Sequence, residues 1–203
     1  MRLRQVGATA LLIECHDSDQ VESWRRELWR RRGRGELSVI DIVPGAATVL
    51  LDGVAPGTAS LVESWASSLE AAPAVEGPLV EVPTVFDGED LADVADLWQV
   101  TVDEAIGRLV TTDFTVAFSG FAPGFGYLRG LPSEWAVPRL AAPRPRVPAG
   151  SVALADTYCG IYPSASPGGW RLVGRTALKL FDVRRDAPAT LSPGARVKLV
   201  PTS

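Results

Sequence analysis

Arg139, Arg144 and Arg146 stand in a proline-rich stretch, VPRLAAPRPRVPAGS, where the fixed backbone angles of proline hold neighbouring side chains in place. A guanidinium matches a carboxylate or a phosphate through parallel N–H donors, so arginines held this way suit a small anionic ligand. Ser151 follows Pro148-Ala149-Gly150, and Ser166 precedes Pro167-Gly168-Gly169; either hydroxyl can orient a substrate. Tyr127, Tyr162 and Trp170 each join an apolar body to a polar tip, as binding surfaces do. Together these residues describe a cleft for a small anion. A structural role stays open for each: an arginine bonding acids or loop carbonyls, a serine bonding its own turn, a ring filling a barrel core.

Other chemistries lack their parts. His16 is the single histidine, which leaves no partner for a Ser-His-Asp set and no bridging metal ligand, so no metal site is expected. The glycine cluster Gly120 to Gly126 lacks the Lys-Ser/Thr and the helix that a phosphate-cradling loop needs. Cys15 and Cys159 are far apart, with neither zinc spacing nor a disulfide framework, and a reducing, cytoplasmic setting is expected. A net charge of −4 argues against a general nucleic-acid binder. The arginines between Arg25 and Arg34 read as the solvated face of one helix. No apolar run approaches the roughly 20 residues that span a bilayer, and the N-terminus reads as a first strand rather than a leader.

Two kinds of element must position the candidate residues. Over the first 85 or so residues the pattern is β-α-β-β-α-β, a ferredoxin-like split unit. It comprises a strand over Arg2–Cys15, a helix capped by Asp17 or Ser18 and ended by Gly33 and Gly35, and strands Leu37–Val43 and Ala47–Leu51 around Pro44-Gly45-Ala46. A helix through Val62 and Trp65 follows, then a last strand over Leu79–Phe86. The stretch Glu70–Pro78 reads as the bridge between that helix and that strand. Residues 86–203 read as a helical pair followed by a barrel. Leu91, Val94, Ala95 and Trp98 recur at helical spacing, and Thr101 with Glu104 forms a capping box for the second helix. A DNA-binding helix pair is disfavoured by Asp103 and Glu104 on that helix. From Phe114 onward short β-rich runs bounded by Gly, Pro or Asp dominate: FTVAFSGF, SVALA, GIYP, WRLVG, ALKLFD and ARVKLV. The fold class is therefore α+β, a small lobe and then a barrel.

The strings GFAPGFGYLRGLP, VPR, PRPRVPAGSVA, GIYPSASPGGW and GRTALKLFD occur in an order and spacing that resemble the family of the 5-oxoprolinase B subunit, also called allophanate hydrolase subunit 1 or the Kip-type kinase inhibitor. The likeness is strong from Val82 to Asp182. It implies a cyclophilin-like barrel and a companion, the 5-oxoprolinase C subunit, with a related barrel. It also implies ATP-dependent opening of the lactam 5-oxoproline to glutamate, completed with the A subunit, with ATP as a cosubstrate and no tightly bound cofactor. It further implies that Arg144, Arg146 and Ser151 are catalytic and that Phe121, Pro123, Phe125, Tyr127, Arg139, Tyr162, Ser166, Gly168, Gly169, Trp170 and Arg175 bind substrate. Related domains serve carboxyl transfer in urea carboxylase, and other relatives inhibit a histidine kinase, so both are alternatives. Members often carry His where Leu109 stands, Gln-Thr where Tyr158-Cys159 stand, a polar group at Ala165 and arginine at Leu140. Each exchange here is to a less polar or bulkier group.

Overall fold

The computed structural model describes residues 1–70 and 77–202, in two compact units that divide between Ala74 and Val75. The first unit is a four-stranded antiparallel sheet in the order β1-β2-β4-β3, built from β1 (Arg2–Val6), β2 (Ala10–Glu14), β3 (Asp41–Pro44) and β4 (Thr48–Asp52). Its helices are α1 (Ser18–Gly33) and α2 (Thr58–Ala66). Leu11, Ile13, Val49 and Leu51 alternate inward from the sheet and meet Val21, Trp24 and Leu28 of α1 and Val62 and Trp65 of α2 in one core. The Asp17 side chain caps α1 by accepting from the Gln20 backbone N–H at 2.8 Å. Its arginine-rich face is laced by acids: Glu27 accepts from both Arg30 and Arg31, and these bonds, the Arg30 one first, hold its carboxyl down to about 2.

Two expectations about this unit change. The stretch Arg2–Cys15 folds as a hairpin rather than one strand, because Gly7 adopts the left-handed region (φ 59°) and turns the chain back on itself. The strand Leu79–Thr84, expected to complete the first sheet, belongs to the second unit. The boundary expected near residue 85 therefore lies about ten residues earlier, and the element order of the small lobe is β-β-α-β-β-α. Local alternation marks Leu79–Thr84 as a strand without naming its partner, and the partner is the last strand of the chain, which it meets in parallel from Arg196↔Leu79 to Pro201↔Thr84. Residues 71–76 of the expected bridge Glu70–Pro78 lie outside the described residues.

The second unit is a barrel-like sheet. After β5 (Leu79–Thr84) come α3 (Leu91–Leu97) and α4 (Val102–Thr111), then β6 (Phe114–Ser119), β7 (Gly126–Arg129), β8 (Arg144–Val147), β9 (Ser151–Ala155), β10 (Tyr158–Ile161), β11 (Ser166–Gly168), β12 (Arg171–Arg175) and β13 (Arg196–Pro201). Seven of these strands run in the order β12-β9-β10-β7-β6-β13-β5, while β8 and β11 form a separate two-stranded ribbon. The helical pair is thus inserted between two barrel strands rather than preceding the barrel. The Thr101–Glu104 capping box forms as expected, and Leu109 of α4 is fully buried in the barrel core with Phe114, Val116, Leu128 and Leu154. Of the expected β runs, ALKLFD has only the isolated bridge Phe181↔Ala189, because Asp182 gathers Lys179 and Arg184 into a turn.

The two end strands of the barrel meet where Val85 and Arg175 exchange backbone hydrogen bonds of 2.9 Å in both directions. Gly174 makes that approach possible, since a Cβ there would lie 2.5 Å from the Val85 carbonyl oxygen and 3.3 Å from the Phe86 Cα. Both obstacles are backbone and cannot rotate away. Gly174→Ala is expected to destabilise the barrel by about 1–3 kcal/mol, as overpacking does, which thermal unfolding followed by near-ultraviolet circular dichroism will read as a fall of several degrees.

Candidate functional site

One end of the barrel gathers the aromatic residues of the glycine-rich motifs. Phe125 is the hub: its ring meets Tyr162, Trp170 and Tyr127 edge-on at centroid distances of 5.4, 5.4 and 5.1 Å. A cavity of about 110 Å³ opens beside them, lined by Phe121, Phe125, Tyr127, Arg139, Tyr162, Gly168, Gly169 and Trp170. Pockets for drug-sized ligands begin near 300 Å³, so this one suits a molecule of a few heavy atoms or one end of a larger one. All eight lining residues are among the fourteen that the sequence nominated.

Local sequence explains each position. In GFAPGFG the Ala122 N–H bonds the Gly120 carbonyl at 2.6 Å and the Phe125 N–H bonds Ala122 at 2.9 Å, a tight loop that pushes Phe121 to φ 63°. A bulky residue rarely adopts that conformation. Here it leaves the Phe121 ring more than half exposed at the cavity, edge-on to Phe125 and Tyr162. Gly168 has no Cβ because one would sit 2.2 Å from the Tyr162 hydroxyl. That hydroxyl accepts from the Trp170 backbone N–H, and burial, which outweighs this bond and the nearby charges of Arg139 and Arg144, raises its pKa. The phenol is therefore a neutral donor at physiological pH.

Arg139 reaches the site from a loop pinned on both sides, by the Val137↔Asp156 bridge and by the Leu140 N–H bonded to the Gly169 carbonyl at 2.8 Å. Its guanidinium lies 5.9 Å from the centroid of Trp170, and it has no acidic partner among the described residues. Arg144 differs. It donates from Nη2 to Asp90 at 2.8 Å and from Nε to Glu89 at 3.3 Å, and Asp90, almost fully buried, also accepts from the Leu172 backbone N–H at 2.6 Å. The Nη1 atom of Arg144 and the Oγ of Ser166 are buried without a partner on the β8–β11 ribbon.

The other nominated residues lie outside the cavity lining. Ser151 is buried and serves the frame: its carbonyl accepts from the Tyr162 N–H at 3.0 Å, and its N–H turns back to Pro148. Arg146 is exposed on β8 without an ion pair among the described residues, Arg175 is exposed and paired with Asp87 at 2.8 Å, and Pro123 is exposed on its loop. The Ser151 backbone and the Arg175 guanidinium thus have partners within the chain. Sequence reasoning missed Asp87, Glu89, Asp90 and Asp93, which pair with Arg175, Arg144 and Arg171. The acidic run DGEDLAD was the available signal. Among the described residues no cluster of His, Cys, Asp and Glu could hold a metal ion, and no helix is long and apolar enough to cross a membrane.

Tyr158 packs edge-on into the aromatic set, 5.8 Å from both Phe118 and Tyr127, and Cys159 is fully buried on β10. Burial pushes the Cys159 thiol up to about 12 and the Cys15 thiol up to about 11. A raised thiol pKa leaves almost no thiolate at pH 8, so the native protein is expected to react slowly with an aromatic disulfide reagent. Both thiols should titrate at once in denaturant, and a fast native phase at pH 8 would contradict these environments.

A small α/β lobe and a near-closed barrel in one chain are an architecture shared with carboxyltransferase-type proteins. Residues 1–191 match the model of the carboxyltransferase domain, subdomain C and D. The chain is 36% identical over 206 residues to the 5-oxoprolinase B subunit of Escherichia coli O157:H7, covering 97% of this chain and 94% of that protein. It is 38% identical to the 5-oxoprolinase B subunit of Haemophilus influenzae, over 87% of this chain and 86% of that one. The chain therefore belongs to the family of 5-oxoprolinase B subunits. Among solved structures, TTHA0988 superposes on the whole chain with a TM-score of 0.79 at 29% identity, although the chain spans only 40% of its length. PH0987 from Pyrococcus horikoshii matches with a TM-score of 0.60 at 31% identity over 98% of its length. Kluyveromyces lactis urea carboxylase, at 17% identity, with a TM-score of 0.72 over 99% of this chain and 22% of that one, shares the fold.

Proposed function

We propose that this chain is a cytoplasmic component of an ATP-dependent 5-oxoprolinase complex, acting with the C and A subunits to open 5-oxoproline to glutamate. The observation that carries this reading is Arg139. In a chain 36% identical to a 5-oxoprolinase B subunit over nearly its whole length, it is a cation without an acidic partner among the described residues, set at an aromatic cavity of about 110 Å³. A small ring bearing one carboxylate meets both features: its apolar ring packs among the aromatic side chains and its charge meets the guanidinium.

The chemistry asks for donors rather than a metal-bound nucleophile. A lactam carbonyl is a poor electrophile, and transfer of the γ-phosphoryl group of ATP to its oxygen, with ADP leaving, makes the ring carbon attackable by water. Collapse of the adduct breaks the C–N bond, freeing the amine and leaving an acyl phosphate, and a second water then displaces phosphate to leave the carboxylate of glutamate. Negative charge shifts onto the transferring phosphoryl oxygens and the departing ADP during this sequence, and a neutral, buried Tyr162 hydroxyl and nearby guanidinium groups are donors of the kind that stabilise it. This reading assigns no step to Arg146 or Ser151, which lie outside the cavity lining.

No nucleotide-cradling loop exists in the sequence, so the chain alone is expected to be inactive. Omitting each protein in turn from a mixture of this chain with the C and A subunits, and following labelled glutamate formed from 5-oxoproline and ATP, tests the assignment. Product should appear only when all three are present; undiminished product without this chain would defeat it.

A further inference from the structure

Arg144 is held by only one edge of its guanidinium. Glu89 faces Nε and Asp90 faces Nη2, whereas Nη1 is buried with no protein group to receive it. An unpaired buried donor costs free energy that the fold does not recover internally, so a group from outside the chain is its natural acceptor. The cavity is next to it: Gly168, which pairs with Arg144 across the β8–β11 ribbon, lines that cavity and abuts the Tyr162 hydroxyl.

Asp90 fixes this arrangement. Its carboxylate is almost fully buried, and its two oxygens are divided between the Arg144 Nη2 at 2.8 Å and the Leu172 backbone N–H at 2.6 Å. The second bond ties the carboxylate to the barrel wall, so the guanidinium plane is set from the β12 side. Glu89, three-quarters exposed, adds a weaker hold on the same edge.

We propose that Asp90 is a positioning residue that turns the free edge of Arg144 toward the aromatic cavity, making Arg144 a second carboxylate-recognising donor beside Arg139. The site then selects small ring carboxylates over the equivalent neutral rings. This selectivity rests on the reading of the cavity as the 5-oxoproline site, and it adds a residue that contacts no substrate.

The test titrates the full-length chain with two matched pairs, 5-oxoproline against 2-pyrrolidinone and benzoate against benzamide, following the Trp170 indole N–H by nitrogen-15 NMR. In the wild type each bound carboxylate should be at least about tenfold tighter than its neutral partner, as one charge-assisted hydrogen bond provides. In Asp90→Asn the ratio should fall about tenfold from its wild-type value, leaving the preference that Arg139 alone provides, with the affinity for the neutral ring unchanged, an effect that simple loss of stability does not produce. Arg144→Lys, which keeps the charge but loses the planar fork, should behave likewise and carries the test if Asp90→Asn folds poorly. Arg171→Gln, which removes the neighbouring pair with Asp93, should retain the wild-type ratio. A wild-type ratio in folded Asp90→Asn or Arg144→Lys overturns the inference, as does a wild type that binds neither carboxylate in preference to its neutral ring. Selective binding of benzoate but not of 5-oxoproline would instead remove the 5-oxoproline reading and leave the role of Asp90 to be judged on the benzoate pair.

Discussion

Replacing Arg139 by alanine is expected to weaken 5-oxoproline use by the assembled complex about 10- to 150-fold while leaving the melting temperature of the chain within a degree or two. The magnitude follows from losing a hydrogen bond to a charged group, worth about 1.5–3 kcal/mol. The insensitivity of the fold follows from what Arg139 touches. It is exposed, has no acidic partner among the described residues, and its stacking on Trp170 at 5.9 Å is at the outer limit of a cation–π contact, worth about 0.5–1 kcal/mol at such a site. Steady-state kinetics of the complex and differential scanning calorimetry of the same preparation check both halves. A variant that melts early but keeps its KM would give Arg139 a structural role instead.

Arg144→Ala is expected to do the reverse in part. Its removal leaves the buried Asp90 carboxylate with the Leu172 N–H as its one remaining partner and the cation gone. Breaking a buried pair by deleting one member typically costs about 3–5 kcal/mol. The Arg144 side chain is about a fifth exposed, so the lower end, about 3 kcal/mol, is expected here after screening by solvent. The double variant Arg144→Met with Asp90→Asn removes both charges and should recover most of that loss, because no uncompensated charge is left in the barrel wall. Chemical denaturation of the three proteins decides it. Equal stabilities for the single and double variants would show that Asp90 is not the penalised group.

The contrast between these two arginines shows how far sequence reading reaches. Both stand in the same proline-rich stretch, and nothing local distinguishes them. The difference is made by Asp90, 54 residues away from Arg144 in the chain, and a pairing of that separation leaves no periodic or motif signal. The same holds for the strand Leu79–Thr84. Its alternation is plain in the sequence, but its parallel partner is the last strand of the chain, so the unit boundary was displaced. Features set by neighbours were legible. Asp17 caps α1, Thr101 and Glu104 close their box, and Pro44-Gly45-Ala46 turns a hairpin, because each involves residues within four positions of one another.

The aromatic wall of the cavity was legible for a different reason. Phe121, Phe125, Tyr127, Tyr162 and Trp170 lie in motifs whose glycines leave room for rings, so the motif carried the packing with it. Ser151 was less legible, because a serine after Pro-Ala-Gly reads equally as a site hydroxyl or as a turn residue. The structure buries it and bonds its backbone carbonyl to the Tyr162 N–H, outside the cavity lining.

If the aromatic cavity with Arg139 receives 5-oxoproline, ADP release by the complex of this chain with the C and A subunits, measured with and without 5-oxoproline, should separate wild type from Arg139→Ala at equal folded concentration. Wild type should show 5-oxoproline-stimulated ADP release, restored in Arg139→Ala only at about 10- to 150-fold higher 5-oxoproline; stimulation with an unchanged dependence on 5-oxoproline in Arg139→Ala would remove Arg139 from the site.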